Sequence, residues 1–153
     1  MELTFADSIL VARPAEQVWD VVSDVTRTGQ WSPICRACWW DEGGGPRVGV
    51  WFTGRNETPD RTWETRSRVT VADRGREFSF EVGDGLVRWS WHLDPHALGT
   101  LLTQSWEFLP AGLELFATRY GEQAQAQIAD RTAAAHEGIP VSLRAVRHLI
   151  EAG

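Results

Sequence analysis

The 153 residues include no lysine, one methionine, one tyrosine and two cysteines. No apolar stretch approaches the length of a membrane span. Each shortage narrows the field. A chain of this length buries a proper core without staples, so its two cysteines need not serve as cross-links. The opening MELTFADSILVARP starts acidic and alternates, unlike the basic head and continuous apolar centre of a signal peptide. A cytoplasmic location is expected, and the sequon Asn56-Glu57-Thr58 then meets no glycosylation machinery. All 15 basic residues are arginine, a bias expected of GC-rich bacterial coding. They form no run, and the formal net charge is -6 with an isoelectric point near 5.2. Such a surface lacks the basic field that releases counterions from phosphates, so neither nucleic acid nor an anionic membrane is an expected partner.

Against these shortages stand nine tryptophans. Each carries a large apolar area and an N–H that needs an acceptor. So many rings in a small chain point to concave, ligand-sized space as well as a close-packed core.

The order of periodicities gives the architecture. Thr4 to Arg13 alternates as a strand, with Phe5, Asp7, Ile9 and Val11 on one side. Pro14 opens a helix, with Glu16 and Asp20 towards the positive end of its dipole and Val18, Val21, Val22 and Val25 at helical spacing. A short second turn, RTGQWSP, carries Trp31. From Ile34 the period becomes two. Strands are expected over Ile34 to Asp41, Val48 to Asn56, Thr62 to Ala72, Glu77 to Val82, Val87 to Leu93 and Thr100 to Phe108. The links EGGGPR, ETPDR, DRGR, GDG and DPHALG carry turn chemistry and are short, which means an antiparallel meander. From about Gly112 a helical repeat runs through Ala124, Ile128, Thr132, Ala135, Ile139, Leu143, Val146 and Leu149, kinked at Pro140. The reading is a single α+β domain over residues 1–153. A curved antiparallel sheet of about six or seven strands wraps the long C-terminal helix, with two short helices after the first strand.

The stretches VARPAEQVWDVVSDVTRTGQWSP, VGVWFTGRN, WETRSRVTVADRGREFSF, GTLLTQSWEF and HEGIPVSLRAVRHLIE resemble the polyketide cyclase/dehydrase group of the START-like, helix-grip superfamily. The resemblance runs from about Leu3 to Ala152. It implies the helix-grip fold and a hydrophobic ligand. Because the superfamily includes cyclases, lipid and hormone binders and co-chaperones, the reaction is left open.

Two motifs offer metal or redox chemistry. In RWSWHLDPH, His92, Asp94 and His96 have the composition of a two-histidine, one-carboxylate iron face. On the strand, however, Trp89 and Trp91 take the inner side and His92 and Asp94 the solvent side, so a solvated strand face is the preferred reading. Cys35-Arg36-Ala37-Cys38 has the C-x-x-C spacing, but without the helix start of a redox site or the partners of a zinc site. On a strand, residues three apart point to opposite faces, so one buried and one exposed thiol are expected.

The inner faces supply the candidate ligand wall. They are Val50, Phe52, Gly54 and Asn56; Trp63, Thr65, Ser67, Val69 and Val71; Phe78, Phe80 and Val82; and Leu102, Gln104, Trp106 and Phe108. The ligand-binding candidates are Trp31, Phe52, Trp63, Ser67, Phe78, Phe80, Trp89, Trp91, Gln104 and Trp106, with Trp31 placed near the mouth. Ser67, Gln104 and Asn56 are the few polar groups that would orient a guest among rings.

The resemblance also implies what a cyclase would need: pocket serine, arginine or tyrosine groups for steering. Ser67 qualifies, whereas Arg66 and Arg68 fall on the opposite face and Tyr120 lies beyond the sheet. No inward-facing histidine or carboxylate is expected, so no catalytic residue is assigned. The leading expectation is a binder of a small apolar, aromatic or polyketide- or lipid-like molecule. A cofactor-independent cyclase or dehydratase comes second, and a co-chaperone-like interaction module third. No cofactor or metal is expected, and a homodimer is left open.

Overall fold

The computed structural model describes residues 3–153. Its strands are β1 (Thr4–Val11), β2 (Cys35–Trp40), β3 (Trp51–Thr58), β4 (Arg61–Asp73), β5 (Glu77–Val82), β6 (Val87–His96) and β7 (Gly99–Phe108). Its helices are α1 (Ala15–Val22), α2 (Pro110–Tyr120) and α3 (Ala124–Ala152), with short 3-10 turns at Val25–Gln30 and Gly121–Gln123. The seven strands form one antiparallel sheet in the order β1-β7-β6-β5-β4-β3-β2. This is the helix-grip arrangement, with the meander consecutive and the first strand returned to the edge beside the last.

Local chemistry explains the entry to the sheet. Pro14 caps α1 in an extended conformation, and Glu16 sits in the first helical turn. Val18, Trp19 and Val22 form the buried stripe of α1, and the indole of Trp19 donates to Glu77 O at 3.0 Å. Asp24 then caps the 3-10 turn by accepting from the Thr26 N–H.

α3 lies chiefly over β1 and β7. It buries Ile128, Ala135, Ile139, Leu143, Val146 and Ile150. Burying one such aliphatic side chain contributes about 1.5–3 kcal/mol, so this stripe is the main seam between helix and sheet. Its last turn is tied to the end of β1, where Glu151 accepts from Ala12 N–H and its carbonyl accepts from Arg13, both at 2.8 Å.

Three details differ from the sequence expectations. The helical tail is two helices rather than one, because Gly121 turns to φ 54° and closes α2 before α3 begins. β6 continues through Asp94, Pro95 and His96 instead of ending at Leu93. The tight return passes through Gly99, where a Cβ would run into the Val11 carbonyl, so glycine is required there. Finally, β4 carries a bulge: Val69 pairs with Phe80, Val71 with Ser79 and Ala72 with Phe78. The extra residue turns Val71 to the outer side and brings Ala72 to the inner one, reversing the face expected for Val71.

Candidate functional site

Register places the inner-face side chains in rows across the sheet. Phe80, Trp89 and Trp106 form one row, ending at Phe5 on β1. Phe78, Trp91 and Gln104 form the next. Phe52 pairs with Ser67 in a third. Rings interlock edge to face between the rows, with Phe52 and Phe80 centroids 4.9 Å apart. Trp31, at the end of the 3-10 turn, stands against Trp91 and is buried in the core instead of lying at a mouth. Trp63 is not brought to this group. It stands half-buried near the β3–β4 turn, with the Arg61 guanidinium 4.0 Å over its ring.

The wall is thus continuous from Phe52 through Phe80 and Trp89 to Trp106. Phe80 and Trp89 remain half-buried, while Phe78, Trp91 and Trp106 are closed off from water.

Two polar atoms break this apolar surface. Gln104 is 8% exposed, and its side-chain oxygen is buried with no hydrogen-bond partner. The same holds for Nε2 of His136, whose ring stacks on Phe5 with centroids 4.2 Å apart. An unpaired buried polar atom costs about 1–3 kcal/mol, so each is open to a partner from outside the fold. His136 corrects the expectation that no histidine faces inward. It sits on α3 one turn after buried Thr132, flanking the stripe that the apolar repeat marks. Nearer the sheet edge, Asn56 donates to the Thr65 hydroxyl at 3.1 Å on the same inner face.

The cysteines also depart from expectation. Cys35 pairs with Asn56, Ala37 with Arg55 and Cys38 with Gly54, so Arg36 is an extra residue in the ladder. The bulge turns both thiols to the inner face. Both sulfurs lie within 4 Å of where a Cβ on Gly54 would stand, along with the Thr65 hydroxyl. The neighbouring Cys38 thiol holds the Cys35 thiol below its ordinary pKa, against the opposing effect of burial, and the Cys35 thiol donates to the Ala37 carbonyl at 3.4 Å. Cys38 is pushed far up by the neighbouring Cys35 and by burial.

The family model described as polyketide cyclase/dehydrase and lipid transport matches residues 2–137. The chain belongs to this family. A Polyketide_cyc-like protein from Corynebacterium glutamicum, Cgl2372, is 51% identical, with a TM-score of 0.72 over 99% of this chain and 93% of that one. The Zhui aromatase/cyclase from Streptomyces sp. R1128 has the same fold at 19% identity, with a TM-score of 0.72 over 97% of this chain and 93% of that one. So does the di-domain ARO/CYC StfQ of the steffimycin biosynthetic pathway, at 16% identity and a TM-score of 0.70 over 97% of this chain and 50% of that one. No protein of curated function matches the chain in sequence.

The outer face of this family member is polar. Arg66 bonds Asp41 at 2.6 Å, Arg88 bridges Glu81 and Glu107, and His92 lies 3.6 Å from Glu77. His96 is occupied otherwise, its Nδ1 accepting the Leu98 N–H in the β6–β7 turn. Among the described residues, no three of His, Cys, Asp and Glu converge as a metal-binding group, and no helix is long and apolar enough to cross a membrane. Surface depressions open at two places, one away from the rings and one reaching Phe5 and Trp106. One of about 750 Å³ runs between Leu10, Leu98 and the end of α3, and one of about 370 Å³ lies beside Arg88 and Ser105.

Proposed function

We propose that the chain binds a small, planar, mostly apolar molecule carrying at least one hydroxyl group, between the inner face of the sheet and α3. The observation that carries this reading is Gln104, a buried amide whose oxygen has no partner, set in a wall of aromatic rings beside Trp91. A hydroxyl on the guest would donate to that oxygen, while Phe80, Trp89 and Trp106 would cover its faces. Phe52 and Ser67 extend the same wall. Phe78 and Trp31 back it from the core, and Trp63 would be reached only by a guest long enough to extend to the β3–β4 turn. Membership of a family of cyclases and lipid carriers supports a guest of this chemistry.

The test is calorimetric titration of the wild type and Gln104→Leu with a planar phenolic polyketide and with its methyl ether. We expect the phenol to bind the wild type about tenfold more tightly than it binds the variant, the loss of one buried hydrogen bond worth about 1.4 kcal/mol. The ether should bind both alike. Equal phenol affinity in both proteins would remove Gln104 from the site.

A second reading is favoured by His136. Its buried, unpaired Nε2 offers a proton acceptor or donor on the same side of the sheet. Two proteins sharing the fold are described as aromatase/cyclases. In this reading His136 would move a proton during ring closure or dehydration, while Gln104 and Ser67 orient the chain being folded. Mass spectrometry of a poly-β-ketone analogue incubated with protein and with His136→Gln decides it: a cyclised or dehydrated product formed by the wild type alone supports catalysis, and an unchanged analogue supports binding.

A further inference from the structure

The bulged end of β2 carries a feature that ligand binding does not use. Pairing sets Cys35 opposite Asn56 and Cys38 opposite Gly54, two residues apart on β3. Two strand rises are about 6.7 Å, in place of the ~10 Å that separates an unbulged i, i+3 pair. Disulfides span Cα separations of roughly 4.4–6.8 Å, so the bulge brings the pair to the edge of bonding range and onto one face. The sulfurs converge over Gly54, whose missing side chain leaves them room. Cys35 is half-buried and open to a small reagent, and Cys38 is buried.

We propose that Cys35 and Cys38 are a site of reversible oxidation, closing an intramolecular disulfide when the protein meets a hydroperoxide. Cys35 attacks. Its sulfur takes the distal oxygen of the peroxide as the O–O bond breaks, giving a sulfenic acid, with water as the other product when the oxidant is hydrogen peroxide. The Cys38 sulfur then attacks the Cys35 sulfur, the S–O bond breaks, and the departing hydroxide takes the Cys38 proton as a second water. Two thiols and one peroxide become one disulfide and two waters.

The roles follow from the surroundings. Cys35 is the half-buried thiol that an oxidant reaches first, with its pKa held down by the neighbouring Cys38, whereas Cys38 is buried. The neighbouring Cys35, burial and the Cys35 charge together hold the proton on Cys38. The charge vanishes once Cys35 is a neutral sulfenic acid, which eases the attack of Cys38 on it. Added thiol reopens the resulting disulfide by exchange.

The experiment exposes the intact protein to hydrogen peroxide, quenches with catalase, and measures thiols under denaturing conditions together with the intact mass. The expected result is loss of both thiols, a mass lower by about 2 Da, monomer on a non-reducing gel, and recovery of both thiols with dithiothreitol. Cys38→Ser should retain a sulfenic acid at Cys35 that dimedone traps. Persistence of both thiols, a mass gain from added oxygen without cross-linking, or a bridge between chains would each overturn the proposal. The wild-type mass and thiol count decide it even if a serine variant does not fold.

Discussion

Trp31 meets Trp91 edge to face, with ring centroids 6.3 Å apart and planes at 90°. Through this contact the connection between α1 and β2 is anchored to the middle of the sheet. Both rings are buried, so truncation leaves a void that rigid neighbours fill poorly. Trp31→Ala should cost about 3–5 kcal/mol, and Trp31→Phe clearly less. At roughly 2–4 °C per kcal/mol for a domain of this size, scanning calorimetry should show the alanine variant melting about 6–20 °C lower.

Gly112 tests how α2 is seated. A side chain there would overlap the Leu86 carbonyl and the Phe108 ring, and the Leu86 carbonyl also accepts the Leu109 N–H. Gly112→Ala should therefore destabilise by about 1–3 kcal/mol or more, although alanine is the better helix former. A urea midpoint equal to or above that of the wild type would mean that α2 does not pack this closely.

The acid limb of stability should be set by two carboxylates. Asp41 lies below the ordinary carboxylate range because it accepts from the Thr53 hydroxyl and from Arg66, and Asp20 lies low because Arg74 donates two hydrogen bonds to it. A carboxyl with a lower pKa folded than unfolded stabilises the fold above its unfolded value, about 3.9, and loses that contribution as pH falls through the folded value. Urea midpoints should hold from pH 7 to about pH 5 and fall below pH 4. Asp41→Asn should show a shallower fall over the same interval, and an unchanged acid limb would place the effect elsewhere.

Gln104→Leu should raise the melting temperature while weakening capture of a hydroxylated guest. The substitution removes a buried oxygen that nothing satisfies and keeps nearly the same volume. A gain in stability with a loss of binding is the mark of a residue kept for function. A lower melting temperature would mean that Gln104 already serves the fold.

The strict alternation of β7 made Leu102, Gln104, Trp106 and Phe108 readable as one buried face, and the rows of rings follow once β6 is paired with it. What escaped the sequence has a common physical cause. The bulges at Arg36 and Thr70 each add one residue to a strand, which flips every later side chain without any glycine or proline to mark it. Hence plain alternation puts the two thiols on opposite faces and Val71 on the inner one, and the bulges reverse both. The break at Gly121 lay in a stretch whose spacing still suits a helix. His136 was legible as a residue four beyond Thr132. Its inward facing is masked in the sequence because Ala135 and Ile139 define the apolar stripe and the histidine flanks it.

The nine tryptophans supply the most direct test of the central claim, since each indole N–H is a separate probe in a proton–nitrogen correlation spectrum. Trp31, Trp40, Trp89, Trp91 and Trp106 belong to the core and its inner-face margin, whereas Trp39 and Trp51 lie on the outer face beneath Arg55 and Arg66. Titration with a planar phenolic polyketide should shift Trp89, Trp91 and Trp106 in a saturable way and leave Trp39 and Trp51 in place. Shifts confined to Trp39 and Trp51, or none at saturating ligand, would contradict a guest held between the sheet and α3.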